Sequence, residues 1–162
     1  MKTSFKVIAC MAALAVLLTV QSASAQGKLQ GAWKITEIVF TGPNALTFKI
    51  TQPSQMIFTQ KHFSVMMIKG DESRPDLPQE DPTYAQMVAV WTPFAAAGGT
   101  YEVKGTTFTA KTSVAKDPSR MAPGNFLTFD FKVEGNTLVV TPKASAAGPI
   151  SYPPSIKLTR LE

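Results

Sequence analysis

The sequence predicts an all-β fold: a single antiparallel up-and-down barrel of about eight to nine strands, with one short helix inserted mid-chain. Two observations carry this expectation. Apolar and polar residues alternate within short runs, and turn-forming residues separate those runs. One segment departs from alternation and carries helical spacing instead, at Tyr84, Met87, Val88 and Trp91.

The first run covers Leu29 to Thr41 and is broken by Gly42-Pro43-Asn44. Ala45 to Gln52 follows and stops at Pro53; these two runs read as one bent strand or as two. Gln55 to Thr59 and Phe63 to Ile68 flank a hairpin loop at Gln60-Lys61-His62. Gly99 to Lys104 and Thr106 to Ala115 flank Gly105, which suits a tight turn with positive φ. Phe126 to Val133 and Thr137 to Thr141 flank Glu134-Gly135-Asn136, another hairpin, and Ser155 to Leu161 closes the chain.

Two interruptions separate these runs. Gly70 to Asp81 carries five carboxylates with Pro75 and Pro78, and reads as an exposed acidic loop. Asp81 then suits a helix N-cap and Pro82 the first helical turn, with Pro93 and Gly98-Gly99 ending the helix. The second interruption, Pro142 to Pro154, is rich in Ala, Ser, Gly and Pro and reads as a long loop.

Alternation assigns faces. Leu127, Phe129, Phe131 and Val133 share one face; Phe63, Val65 and Met67 share another, as do Met56 and Phe58. Phe108, Ala110, Thr112 and Val114 make a milder apolar face. Closing such a meander into a barrel removes the exposed edges it would otherwise leave. An eight-strand barrel is just wide enough inside for side chains or one small ligand.

The N-terminus reads as an export signal. Lys2 and Lys6 precede an uncharged apolar run from Val7 to Val20, and Ala23-Ser24-Ala25 makes an A-x-A cleavage site. The run is shorter than the ~20 apolar residues a spanning helix needs. Cleavage after Ala25 gives a signal peptide over 1–25 and one barrel domain over 26–162, with no membrane-spanning segment in the mature chain. It also removes Cys10, the single cysteine, so the mature chain forms no internal disulfide and relies on its core. The leader holds two of the sixteen basic residues and none of the eleven acids, so the net charge falls from +5 to about +3. Scattered charge of that size does not point to nucleic acid.

The residues offer little to catalysis. His62 is the only histidine, and metal binding lacks a second histidine, a mature cysteine or a calcium-loop spacing in the acidic segment. Gly98-Gly99 precedes a strand and so makes no phosphate loop. No catalytic residue, metal or cofactor is assigned. Lys116 and Arg120 lie in the loop Lys116 to Asn125, where they read as surface residues or as partners of a ligand carboxylate at an open end.

Taken in order, Leu29-Gln30-Gly31-Ala32-Trp33-Lys34, Ile57 to Ser64, Gly99-Thr100-Tyr101-Glu102-Val103 and Val133 to Leu138 resemble bacterial lipocalin-like domain proteins, within the calycin architecture. Trp91 to Phe94 and Met121 to Gly124 add to the likeness, which spans nearly all of Leu29 to Leu161. The resemblance implies that Trp33, two residues after Gly31, packs under Arg160 at the closed end of the barrel. It further implies a small apolar or amphipathic ligand as partner. Read from the residues themselves, the apolar Phe58, Phe63, Met67, Phe129 and Phe131 either line a pocket or fill the core. Tyr84 and Trp91 would then stand on a helix near its mouth. The chain departs from secreted animal lipocalins in lacking a disulfide and in placing its helix mid-chain. The expected function is therefore an exported, periplasmic or secreted, carrier or sensor. An envelope interaction module acting through its two long loops is the alternative, and an enzyme using His62 comes third.

Overall fold

The computed structural model describes residues 25–162, and the predicted signal sequence before Ala25 lies outside the described residues. Residues 25–29 are helical, so Leu29 ends a helical stretch instead of opening a strand. Ten strands follow: β1 (Gly31–Phe40), β2 (Leu46–Lys49), β3 (Ser54–Phe58), β4 (His62–Ile68), β5 (Phe94–Lys104), β6 (Thr107–Ala115), β7 (Leu127–Glu134), β8 (Thr137–Ser145), β9 (Gly148–Pro149) and β10 (Ser155–Arg160). One α-helix, α1 (Tyr84–Trp91), joins β4 to β5, and a single 3-10 turn, Pro118–Met121, lies between β6 and β7.

Eight of the strands close a barrel in the order β1-β3-β4-β5-β6-β7-β8-β10, all pairings antiparallel. β10 completes the ring by pairing with both β1 and β8. β2 pairs only with the outer half of β1, and β9 only with the end of β8, so both project from the barrel. The predicted fold class therefore stands, with two strands added outside the ring.

Several local expectations need correction. The helix is capped by Thr83, not Asp81. The Gln86 amide donates to the Thr83 hydroxyl at 3.3 Å, and the Thr83 amide donates to the Gln86 side chain at 2.9 Å, a reciprocal capping box. Asp81 instead takes a positive φ of 48°, which turns the chain before the cap. β5 begins at Phe94 and runs through Gly98-Gly99, which therefore do not end the helix. β8 extends to Ser145 and turns back into β9, so much of the stretch from Pro142 to Pro154 is a hairpin and not a loop. Pro142 is tolerated in a strand because it sits at a register shift opposite Phe129, where no ladder bond is asked of it.

A bulge between β5 and β6 also changes one face assignment. Gly98 opposes Val114 while Gly99 opposes Thr112, so Ser113 is the extra residue. Beyond it the alternation inverts, and Val114 points to solvent with 64% of its surface exposed. The bulge requires glycine at position 99: a Cβ there would lie 2.0 Å from the Lys111 carbonyl oxygen.

The core concentrates at one end. Trp33, Phe58, Phe108, Leu29, Leu138, Leu158 and Val140 are its largest fully buried side chains. Phe108 is the hub: its ring meets Phe58 edge-on at 5.6 Å, stacks on Phe129 at 4.8 Å and contacts Phe131 at 5.9 Å.

Two stability predictions follow from this packing. Phe108→Ala removes the hub, and its midpoint in urea should fall by the equivalent of about 3–5 kcal/mol. Gly99→Ala should lower stability by about 1–3 kcal/mol through steric overlap at the bulge. A Gly99→Ala variant as stable as the parent in the same titration would show that the strands separate there without cost.

Candidate functional site

The barrel has one closed and one open end. At the closed end, the Arg160 guanidinium lies 4.0 Å from the centroid of the Trp33 ring. It donates to the carbonyls of Gln30 at 2.8 Å and Lys28 at 2.9 Å. The Trp33 indole N–H donates to the Leu29 carbonyl at 2.8 Å. The helical stretch 25–29 is thereby drawn across the barrel base. Gly31 is needed for the same closure: its φ is +122°, and a Cβ there would meet Arg160 Nη1 at 2.7 Å.

Above this base, an aromatic floor spans the interior. Phe58 and Phe63 oppose one another across β3 and β4, and both are buried. Tyr101 meets Phe58 edge-on at 5.2 Å and donates its hydroxyl to the Thr59 carbonyl at 2.7 Å. Burial pushes the Tyr101 phenol above the ordinary tyrosine value, partly offset by a hydrogen bond with the Gln26 side chain.

Towards the open end the packing changes. Cross-strand pairing puts Met56, Val65 and Ala97 on one inner level, and Met67 and Ala95 on the next. Thr112, Leu127, Phe129 and Ile156 line the opposite wall. All of these except Ala97 are only partly buried, although they face inward. The cause is legible in β5. Ala95, Ala97 and Gly99 are its inward residues there, and they supply almost no volume opposite the apolar walls.

The open end carries two built features. The 3-10 turn is locked by its own loop: the Ser119 amide and hydroxyl donate to Asp117 at 3.0 and 2.8 Å, and the Asn125 side-chain amide donates to the Ser119 carbonyl at 2.7 Å. These bonds from Ser119, and then the Arg120 charge, hold the Asp117 carboxyl below its usual range. Arg120, Ser119, Asn125, Thr112 and Leu127 line a cleft of about 250 Å³ that is completed by Ser145 to Ala147. Lys116 serves a different purpose. Its ammonium donates to the carbonyls of Trp91 and Phe94 and lies over the Trp91 ring, and so it anchors the end of α1.

Of the residues expected to line a pocket, Phe58 and Phe63 form the floor, Phe129 and Phe131 pack against Phe108, and Met67 faces inward high on the opposite wall. Tyr84 and Trp91 are not gathered with them. They are 80% and 58% exposed, and the apolar stripe of α1 is not buried by the rest of the chain. His62 is the first residue of β4, not a loop residue, and is exposed at the closed end. The sequence pattern placed Phe108 on an apolar face but not among the pocket or core residues, and gave Tyr101 no interior role, although both belong to the floor. The alternation Tyr101, Val103 and, across the Gly105 turn, Phe108 and Ala110 was the available signal. Among the described residues, no helix is long and apolar enough to cross a membrane, and no group of three His, Cys, Asp or Glu side chains could hold a metal.

No protein-family model matches the chain, and no curated protein matches its sequence. Solved structures are similar to it at low identity. A lipocalin-like protein from Bacteroides uniformis is 13% identical with a TM-score of 0.49, over 83% of this chain and 99% of that one. An uncharacterized protein from Bacteroides eggerthii is 7% identical with a TM-score of 0.45, over 82% and 98%. A mutant of the fluorescent protein UnaG is 12% identical with a TM-score of 0.37, over 84% and 98%. The strand order, the β1–β10 closure and the Trp33–Arg160 stack together make this a closed antiparallel barrel of eight strands, the architecture that the resemblance in its sequence implies.

Two outcomes test this geometry. Trp33→Ala should cost about 3–5 kcal/mol as a buried aromatic truncation. Arg160→Ala should cost about 2 kcal/mol, from the lost stack and charged hydrogen bonds. Unchanged melting temperatures for both would refute the closure. The raised Tyr101 phenol favours the folded state at all pH values below the unfolded tyrosine pKa of about 10. That contribution is lost as pH rises through the folded-state value. Absorbance at 295 nm should show a late tyrosinate phase that Tyr101→Phe abolishes.

Proposed function

We propose that the protein is an exported carrier or sensor that binds a small apolar or amphipathic molecule in the upper half of its barrel. One observation carries this reading: inward-facing apolar side chains near the open end remain partly exposed above a fully packed aromatic floor. A barrel filled by its own side chains would bury them. Apolar surface left open inside a barrel is stabilised by a guest, at ~25 cal/mol per Å² removed from water. Export rests on the N-terminal pattern of charged start, apolar run and A-x-A site.

A second reading, an interaction module, is favoured by the apolar residues exposed around the open end. Phe40, Leu46 and Phe48 stand on the β1–β2 hairpin, Trp91 on α1 and Tyr152 beyond β9. Deleting part of the acidic segment 70–81 with folding intact would then cost a partner protein in pull-downs, while a carrier would keep its guest.

Native mass spectrometry of the gently purified protein is the direct test. A reproducible added mass that disappears on denaturation is the expected result. Ala95→Trp adds bulk to the inner wall of the upper barrel. It should weaken binding of a neutral apolar fluorescent probe at least tenfold with little change in melting temperature. An apo mass together with no probe binding by the parent protein would reject the carrier.

A further inference from the structure

We propose that the open-end cleft is an anion-recognition subsite, and that the guest is an acidic amphiphile whose charged head is held by Arg120. This rests on the carrier reading and narrows it to one ligand class. The cleft of about 250 Å³ sets the polar residues Ser119, Arg120 and Asn125 beside the apolar Phe126 and Leu127. At the rim Arg120 supplies the charged donors and Asn125 its second amide hydrogen, while both donors of Ser119 are spent on Asp117. Thr112 and Leu127, which face inward, line its base. Leu127 and Phe129 lie on one inner wall, leading towards the aromatic floor, so a head at Arg120 has an apolar path for its tail.

The loop that carries Arg120 is already ordered by its own bonds. Asp117 is engaged by Ser119, and Asn125 is tied to the Ser119 carbonyl. Binding would therefore order little more than the guanidinium itself, which lowers the entropic cost of recognition. Among the described residues, the ion pairs are Lys132–Glu134 at 2.7 Å and Lys143–Asp130 at 3.3 Å; Arg120 is in neither, and its charge reaches the Asp117 carboxylate only from beyond ion-pair distance. The planar fork of a guanidinium matches a carboxylate or phosphate in two parallel hydrogen bonds, which an ammonium cannot reproduce. The other cation of this loop, Lys116, is committed to backbone carbonyls at the end of α1.

The test displaces a neutral apolar probe from the purified protein with dodecanoate, dodecyl phosphate or dodecanol. The parent should bind the two anions more tightly than the alcohol, and the difference between the anions identifies the head group. Arg120→Gln should weaken anion binding about tenfold or more and leave dodecanol within twofold. Arg120→Lys should fall between. Arg74→Gln, in the separate outer groove that Arg74 shares with Lys34 and Phe94, should change nothing. An unchanged anion preference in Arg120→Gln, or a loss that follows Arg74 instead, overturns the subsite while the carrier reading stands. Equal loss of alcohol and anions in a folded Arg120→Gln overturns it as well. Failure of all three to bind the parent removes both readings together.

Discussion

The stack of Arg160 on Trp33 is the interaction on which the rest of this fold depends. It joins the last strand to the first, where a β meander either becomes a barrel or keeps two raw edges. The same guanidinium holds the chain upstream of β1 by the carbonyls of Lys28 and Gln30. One side chain thus fixes the ring closure, the base cover and the approach to Gly31. The indole below is fully buried, so the cation sits over a face shielded from water, where such a contact is worth most.

From that base the barrel changes character along its axis. The closed half is packed by aromatic rings around Phe108, in edge and stacked geometries that add to burial. The open half is walled on one side by the small inner residues of β5. Stability and capacity are therefore separated in space. The half that resists unfolding is not the half that is loosely packed.

Much of this was legible in residue patterns, and the failures have physical causes. Alternation located seven of the nine expected strands near their true bounds; six of these belong to the barrel, where an inward face enforces the period of two, and the run expected for β8 stopped four residues short. It failed at β5, where Ala95, Ala96 and Ala97 carry no alternating signal, and at Val114, where a bulge inverts the faces. The Thr-x-x-Gln box at Thr83 and Gln86 was visible in the sequence but yielded to the more familiar Asp-Pro pair before it. Tyr84 and Trp91 were assigned to the mouth from helical spacing alone. Spacing specifies which residues share a stripe, not what covers it, and this stripe is uncovered. The Arg120 cleft depends on the β8–β9 turn meeting a loop some 25 residues earlier in the chain, a meeting that local patterns do not encode.

The position of the chain ends has a consequence of its own. Residues 25–29 cross the closed base, and the Leu161 amide donates to the Ala32 carbonyl at the same end. Both ends of the described chain therefore leave the barrel on the side away from the cleft. A tether, a fusion partner or a solid support attached at either terminus would present the mouth outward with its loops unobstructed. Those loops can lengthen or change composition without disturbing the seam that holds the ring together.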